Sequence, residues 1–232
     1  MKVIRKSCIR GAEEARGTTV VIDVFRAFTC EPLFFHFGAR RVVLETDPAR
    51  AKDMRERHPD WILAGEHNEI PIPGADLGNS PSEIVLRGRD FFLDKTVIHR
   101  TTAGVTGVVA ALGKAGEVLL GSFLIAGATA RYILRRKPEV VTLVSMGERA
   151  LRMAPEDEAC AEYLDHLLTG APFDPVEALK GILFQPTAQK FIQGRKPHLP
   201  REDPSFCLQR DLLDFALRAE REEDRIVVRQ VK

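Results

Sequence analysis

Four short segments of this chain gather the residue types that anion and metal chemistry uses. The first, Val20 to Cys30 (VVIDVFRAFTC), ends an apolar run in Asp23 and places Arg26 three residues on. An acid at a strand end beside an arginine at a helix start suits a metal ligand or general base next to an anion anchor. It equally suits a helix N-cap with its ion-pair partner. The second, Ala64 to Ser82 (AGEHNEIPIPGADLGNSPS), carries Glu66, Asp76, Asn79 and Ser80 on a connection with three prolines and three glycines. Long structured connections inside a compact fold are usually binding loops, and capping a helix near Pro81 occupies only one of these polar groups. In the third, His99 to Gly107 (HRTTAGVTG), Arg100, Thr101 and Thr102 lead into a helix. Free N–H groups and threonine hydroxyls there make an anion cradle without lysine, or else an N-cap with Gly104 present for close packing. The fourth, Met153 to Ala161 (MAPEDEACA), puts Glu156, Asp157 and Glu158 in a first helical turn, where the helix dipole alone explains acids.

The elements that must position these groups alternate. Apolar strands are expected at Thr19–Val24, Arg41–Glu45, Trp61–Ala64, Thr96–His99, Val118–Gly121 and Val140–Val144, with helices at Ala27–Phe37, Pro48–Arg57, Ser80–Leu86, Gly104–Leu112 and Ala126–Arg136. Strands this apolar, each followed by a helix, predict an α/β fold with a mostly parallel sheet covered on both faces. Asp23, Glu66, Arg100 to Thr102, Ser122 and Glu148 all follow strands. In a parallel sheet they would share the carboxyl edge, where open α/β folds bind ligands. After Gly147 helices are expected at Pro155–Leu168, Pro175–Phe184 and Arg210–Arg221, with a final strand at Arg225–Val231. Residues 147–232 thus form a mostly helical portion completing the site of one domain spanning 1–232. Gln193 to Pro204, with three of the fourteen prolines, reads as a surface loop or lid.

Composition narrows the partners. Among 232 residues, 34 basic and 33 acidic side chains leave a net charge of +1, which argues against nucleic-acid or membrane-surface binding and for a small-molecule protein. Four scattered cysteines without C-x-x-C spacing read as the reduced thiols of a cytoplasmic protein, and no apolar run has the roughly 18–20 residues of a membrane span. Phe34, Phe35 and Phe37 on one early helix suit an interface as readily as a core, which leaves a homodimer open. There is no H-E-x-x-H, no D-x-D-x-T, no G-x-G-x-x-G and no cysteine with an arginine six residues on. Gly107 to Lys114 has one residue too many for a phosphate loop and ends in Ala115.

Together the segments resemble the 2-phosphosulfolactate phosphatase family, magnesium-dependent phosphatases of coenzyme M biosynthesis. The likeness is carried by VVIDVFRAFTC, by AGE followed by GADLGNSP, by RTTAG, by LLGSFLIAGATA (Leu119–Ala130), by EDEACA (Glu156–Ala161) and by HLPREDPSFCLQRD (His198–Asp211). It departs at Ala103 and Val105, where the family usually has T-T-N-G-T, and at His67, where it usually has G-E-R. The resemblance implies a phosphatase for a small anionic phosphate ester. On it, Asp23, Glu66, Asp76 and Asp157 or Glu158 are expected to hold one Mg²⁺, some through water. Arg26, Arg100, Thr101 and Thr102 are expected to bind anionic groups with Asn79, Ser80 and Ser122, while Asp23 or Glu66 orients the attacking water. Two alternatives are a phosphatase for another phosphorylated hydroxy acid and a non-catalytic anion-binding homologue.

Overall fold

The computed structural model describes residues 1–232. Its elements run β1 (Lys2–Ser7), α1 (Cys8–Glu13), β2 (Thr18–Ile22), α2 (Ala27–His36), β3 (Arg41–Glu45), α3 (Pro48–Arg57), β4 (Ile62–His67), β5 (Ile70–Pro71), α4 (Pro81–Phe92), β6 (Thr96–Arg100), α5 (Gly104–Leu112), β7 (Glu117–Gly121), α6 (Ala126–Arg136), β8 (Val140–Ser145), α7 (Pro155–Thr169), α8 (Pro175–Leu183), α9 (Pro186–Ile192), α10 (Asp203–Cys207), β9 (Ala216–Glu222) and β10 (Arg225–Val231).

All ten strands join one sheet in the order β1-β8-β2-β7-β9-β10-β3-β6-β4-β5. The expected mixed α/β architecture is present, and alternation along the strands explains its two covered faces. In β2, Val21 packs into a core with Phe28 and Phe34 of α2 and Val105 and Val108 of α5. Val20 and Ile22 point the other way, into a core with Tyr132 and Ile133 of α6 and Leu164 of α7. Phe34 and Phe35 are buried, so they serve the core and give no support to an interface.

The sheet is mostly parallel, as expected, but it corrects the expectation of a single shared carboxyl edge. β1, β8, β2 and β7 form one parallel block and β3, β6 and β4 another, but the hairpin β9–β10 between them pairs antiparallel to both blocks. Three successive antiparallel pairings, β7–β9, β9–β10 and β10–β3, reverse the second block relative to the first. Twist then acts against this reversal. At about 20–25° per strand pair, the six steps from β2 to β4 accumulate roughly 120–150°, which turns the second block's carboxyl ends back toward the first block's.

The hairpin also displaces the expected helix at Arg210–Arg221. Ala216–Glu222 alternates buried and more exposed residues and pairs throughout with β10 across a turn in which Glu223 has φ 57°. Cross-strand pairing outweighed the helical reading of its charged residues. The final strand lies at Arg225–Val231 as expected. The Gln193–Pro204 segment is mostly exposed but anchored by buried Leu199, Asp203 and Pro204. All four cysteines are unpaired, and no helix is long and apolar enough to cross a membrane.

Candidate active site

A polar pocket opens where the carboxyl ends of β2, β4, β6 and β8 converge with the heads of α5 and α7 and with α9. Its lining includes Asp23, Arg26, Glu66, Asn79, Thr101, Thr102, Glu156 and Asp157 from the sequence segments, with Arg149 and Lys190 added.

Asp23 is buried just beyond β2, and its Oδ1 accepts from Ala27 N at 3.2 Å. It thereby engages the first N–H of α2, whose N-cap position is Arg26, and that contact coexists with a place in the pocket. Its Oδ2 lies against Gly104, where a Cβ would stand 2.8 Å away, so only glycine lets the head of α5 approach this carboxylate. Burial holds the Asp23 carboxyl up at about 6, with Glu66 adding to the rise while the Ala27 and Gly104 N–H groups and His99 oppose it.

Glu66 is placed by Gly65, whose φ of 139° and close approach to the Arg100 carbonyl exclude a side chain. Both Glu66 oxygens are engaged. Oε1 accepts from Thr102 N at 2.6 Å, and Oε2 from Thr102 Oγ1 at 3.0 Å and Glu69 N at 2.5 Å. Asp157 is engaged in the same way, accepting from Val24 N and Gly147 N, each at 2.7 Å, so it ties the ends of β2 and β8 together. Burial pushes its carboxyl well up, and the charges of Asp23 and Glu156 add to this. Glu156 differs, because its Oε2 is buried without a hydrogen-bond partner. Burial raises its carboxyl too, Asp23 contributing.

Other expected residues lie elsewhere, each for a definable reason. Asp76 accepts from Leu63 N at 2.9 Å and Arg55 Nε at 3.1 Å, and faces a second cavity. Glu158 points to the opposite side of the α7 head, accepting from Ser7 Oγ at 2.6 Å. Ser80 caps α4 through Glu83 N and donates to Asp203 at 2.7 Å, also beside the second cavity. Ser122 is fully buried outside the pocket, its hydroxyl unpartnered. Arg100 lies behind the pocket wall, donating to the carbonyls of Thr46 and Glu66 and to Thr102 Oγ1, so it builds the β4 and β6 ends and touches no pocket space.

Arg26 reaches the pocket with Nη1 donating to Asp203 Oδ2 at 2.7 Å and to the His198 carbonyl at 3.1 Å, its guanidinium over the Phe191 ring. Its remaining N–H groups make no hydrogen bond within the chain. Lys190 pairs with Glu69 at the pocket mouth, and Arg149, with φ 54°, is exposed and unpaired. Sequence reasoning missed Asp203, Lys190 and Arg149. Only the acid-rich HLPREDPS stretch signalled any of them.

No three His, Cys, Asp or Glu side chains stand ready as a ligand group. The donor set nevertheless fits Mg²⁺, which is usually held by one or two carboxylates, several waters and substrate phosphate. Asp23 and the unpartnered Glu156 Oε2 are the oxygens available, and a cation beside them would relieve their mutual repulsion.

A family model described as 2-phosphosulpholactate phosphatase matches residues 5–221. A probable 2-phosphosulfolactate phosphatase of Bacillus subtilis is 31% identical over 206 residues, covering 88% of this chain and 87% of its own. Proteins of the same description from Caldanaerobacter subterraneus (30% over 208 residues, 84% and 85% covered) and Thermoplasma acidophilum (29% over 192 residues, 83% and 81%) are similar along most of their length.

Proposed function

The chain belongs to the 2-phosphosulfolactate phosphatase family, and from that premise we propose that it is a Mg²⁺-dependent phosphoric monoester hydrolase releasing phosphate from 2-phosphosulfolactate. The observation that carries this reading is Asp23: a buried carboxyl held at about 6, with Oδ2 facing the head of α5, in a pocket that also holds guanidinium and ammonium groups. With no cation beside it a carboxyl of that strength takes up a proton near neutral pH, and a bound Mg²⁺ would lower its pKa and favour the carboxylate that acts as the base.

In the proposed step Asp23 takes a proton from the attacking water as its oxygen bonds to phosphorus. The phosphorus–oxygen ester bond breaks, and the leaving oxygen is protonated from solvent. Glu66 acts at one remove by fixing Thr102, so that the Thr101–Thr102 turn and the first N–H groups of α5 face the anion. The N–H groups of Arg26 left over from Asp203, with Lys190 and Arg149, supply positive charge for the remaining anionic groups. Mg²⁺ at Asp23 and Glu156 would neutralise phosphoryl oxygens.

One observation favours a second substrate within the same class. Of the three departures from the family pattern, Val105 is core and His67 is exposed outside the pocket, but Ala103 lines it. Phosphate release from a panel of phosphate monoesters, each with Mg²⁺ and with EDTA, tests the proposal. Preference for 2-phosphosulfolactate supports it, preference for another phosphorylated hydroxy acid supports the second reading, and no turnover of any ester contradicts both.

A further inference from the structure

A buried polar chain runs from the core to the pocket and is used by none of the steps above. Glu31 of α2 and His99 of β6 are both wholly buried, with Glu31 Oε1 2.7 Å from His99 Nδ1. The Phe34 ring packs edge-on against the imidazole at 5.2 Å and fixes its plane. His99 Nε2 stands 3.1 Å from Asn79 Oδ1. Asn79 is 6% exposed and lines the pocket, and its amide nitrogen has no partner within the chain.

Proton counting decides which way the amide faces. An amide oxygen accepts only, so Nε2 must carry a proton to bond it. Two states meet that condition: an imidazolium beside the Glu31 carboxylate, or a neutral ring with Nε2–H and the shared proton on Glu31. Both leave the buried pair neutral overall. The remaining tautomer, with a proton on Nδ1 alone, requires either a net negative charge on the buried Glu31 or a proton on Glu31 Oε2, which is buried with no partner to accept it, and both arrangements are expensive. Only that tautomer would turn the amide round and aim its oxygen at the anion.

We propose that Glu31 and His99 are positioning residues that keep a proton on His99 Nε2, and so hold the Asn79 N–H₂ toward the pocket as a donor to an anionic oxygen of the substrate. The role of the donor in turnover rests on the phosphatase reading; the orientation of the amide does not. Asn79→Asp separates the possibilities, because aspartate still accepts from Nε2–H but replaces the pocket-facing N–H₂ with an oxygen.

The experiment combines ¹⁵N-histidine spectra of the full chain with inorganic phosphate titrations of the wild type and variants. Expected are a protonated Nε2 on His99, phosphate-dependent shifts of the Asn79 side-chain amide, and phosphate affinity lowered about ten- to a hundredfold in Asn79→Asp, the range for a hydrogen bond to a charged group. Glu31→Ala should weaken phosphate binding in the wild-type background and add little in Asn79→Ala, whereas a merely structural role would add in full. A bare Nε2, no phosphate binding by the wild type, or Asn79→Asp within twofold of wild type would overturn the proposal. Failure to hydrolyse any ester would contradict the phosphatase reading while leaving the tautomer and the titration legible.

Discussion

Arg26 and Asp203, 177 residues apart in the chain, form a buried ion pair with Nη1 2.7 Å from Oδ2. The other Asp203 oxygen accepts from Ser80 Oγ, Ser82 Oγ and Ser82 N at 2.6–3.1 Å. One carboxylate thus fastens the heads of α2, α4 and α10 around the pocket.

Asp203→Asn keeps an oxygen for the two serines but leaves Arg26 buried without its counter-charge. Removing one partner of such a pair costs about 3–5 kcal/mol. At about 2–4 °C per kcal/mol for a chain of this size, thermal unfolding should drop by on the order of 6–20 °C. A melting temperature within a degree of wild type would show that the pair carries no net stability.

Asp23 makes stability and activity oppose each other. Its carboxyl is raised from 3.8 unfolded to about 6 folded, so its stabilising contribution is full below pH 4 and is lost as pH rises through 6. In EDTA the wild type should lose on the order of 3 kcal/mol from this group between pH 4 and 7, and Asp23→Asn should not. Denaturant titrations of both proteins across that range isolate the difference. The variant is expected to be the more stable at pH 7.

Thr102 is the contact through which Glu66 shapes the pocket. Its hydroxyl donates to Glu66 Oε2 and accepts from Asn68 N at 3.1 Å and Arg100 Nη1 at 3.2 Å. Thr102→Val should lower stability by about 1–3 kcal/mol and reduce kcat/KM, while Thr102→Ser keeps the hydroxyl and stays near wild type. Equal effects of the two variants in denaturation and steady-state assays would contradict this role.

Much of this frame is legible in the sequence, and the limits have physical causes. Asp23, Glu66, Thr101 and Thr102 follow apolar strands and meet in one pocket because strand ends point their next residues at a shared edge. That they meet across two opposed blocks depends on the twist of a sheet whose central hairpin, β9–β10, comes from the end of the chain. Local pattern gives no sign of that pairing, and Arg210–Arg221 accordingly reads as a helix. Among three consecutive acids, the sequence does not distinguish Glu156 and Asp157, which face the pocket, from Glu158, which meets Ser7. Asp76 looks as chemically apt as Glu66 until Arg55 and Leu63 N are found to occupy it. Glu31, His99 and Asp203 act through partners distant in the chain, a relationship that spacing does not encode.

Ala103 sits at the head of α5 without a side-chain cap and lines the pocket. Ala103→Asn should bring an amide to the anion with little change in stability, because Ala103 has a helical backbone and the Val105 N–H already donates to Thr101 Oγ1 at 3.3 Å. If 2-phosphosulfolactate is the substrate, its kcat/KM should rise by about tenfold in steady-state assays. A fall with this ester, alongside unchanged turnover of another phosphorylated hydroxy acid, would point to the other substrate.

The most direct measurement of the central claim is phosphate release from 2-phosphosulfolactate by the wild type and Asp23→Asn at saturating Mg²⁺. The predicted result is wild-type turnover that EDTA abolishes, and a variant slower by at least about a hundredfold, the lower end of what a general base contributes. Turnover by folded Asp23→Asn within a few-fold of wild type would contradict the role of Asp23 and the mechanism built on it.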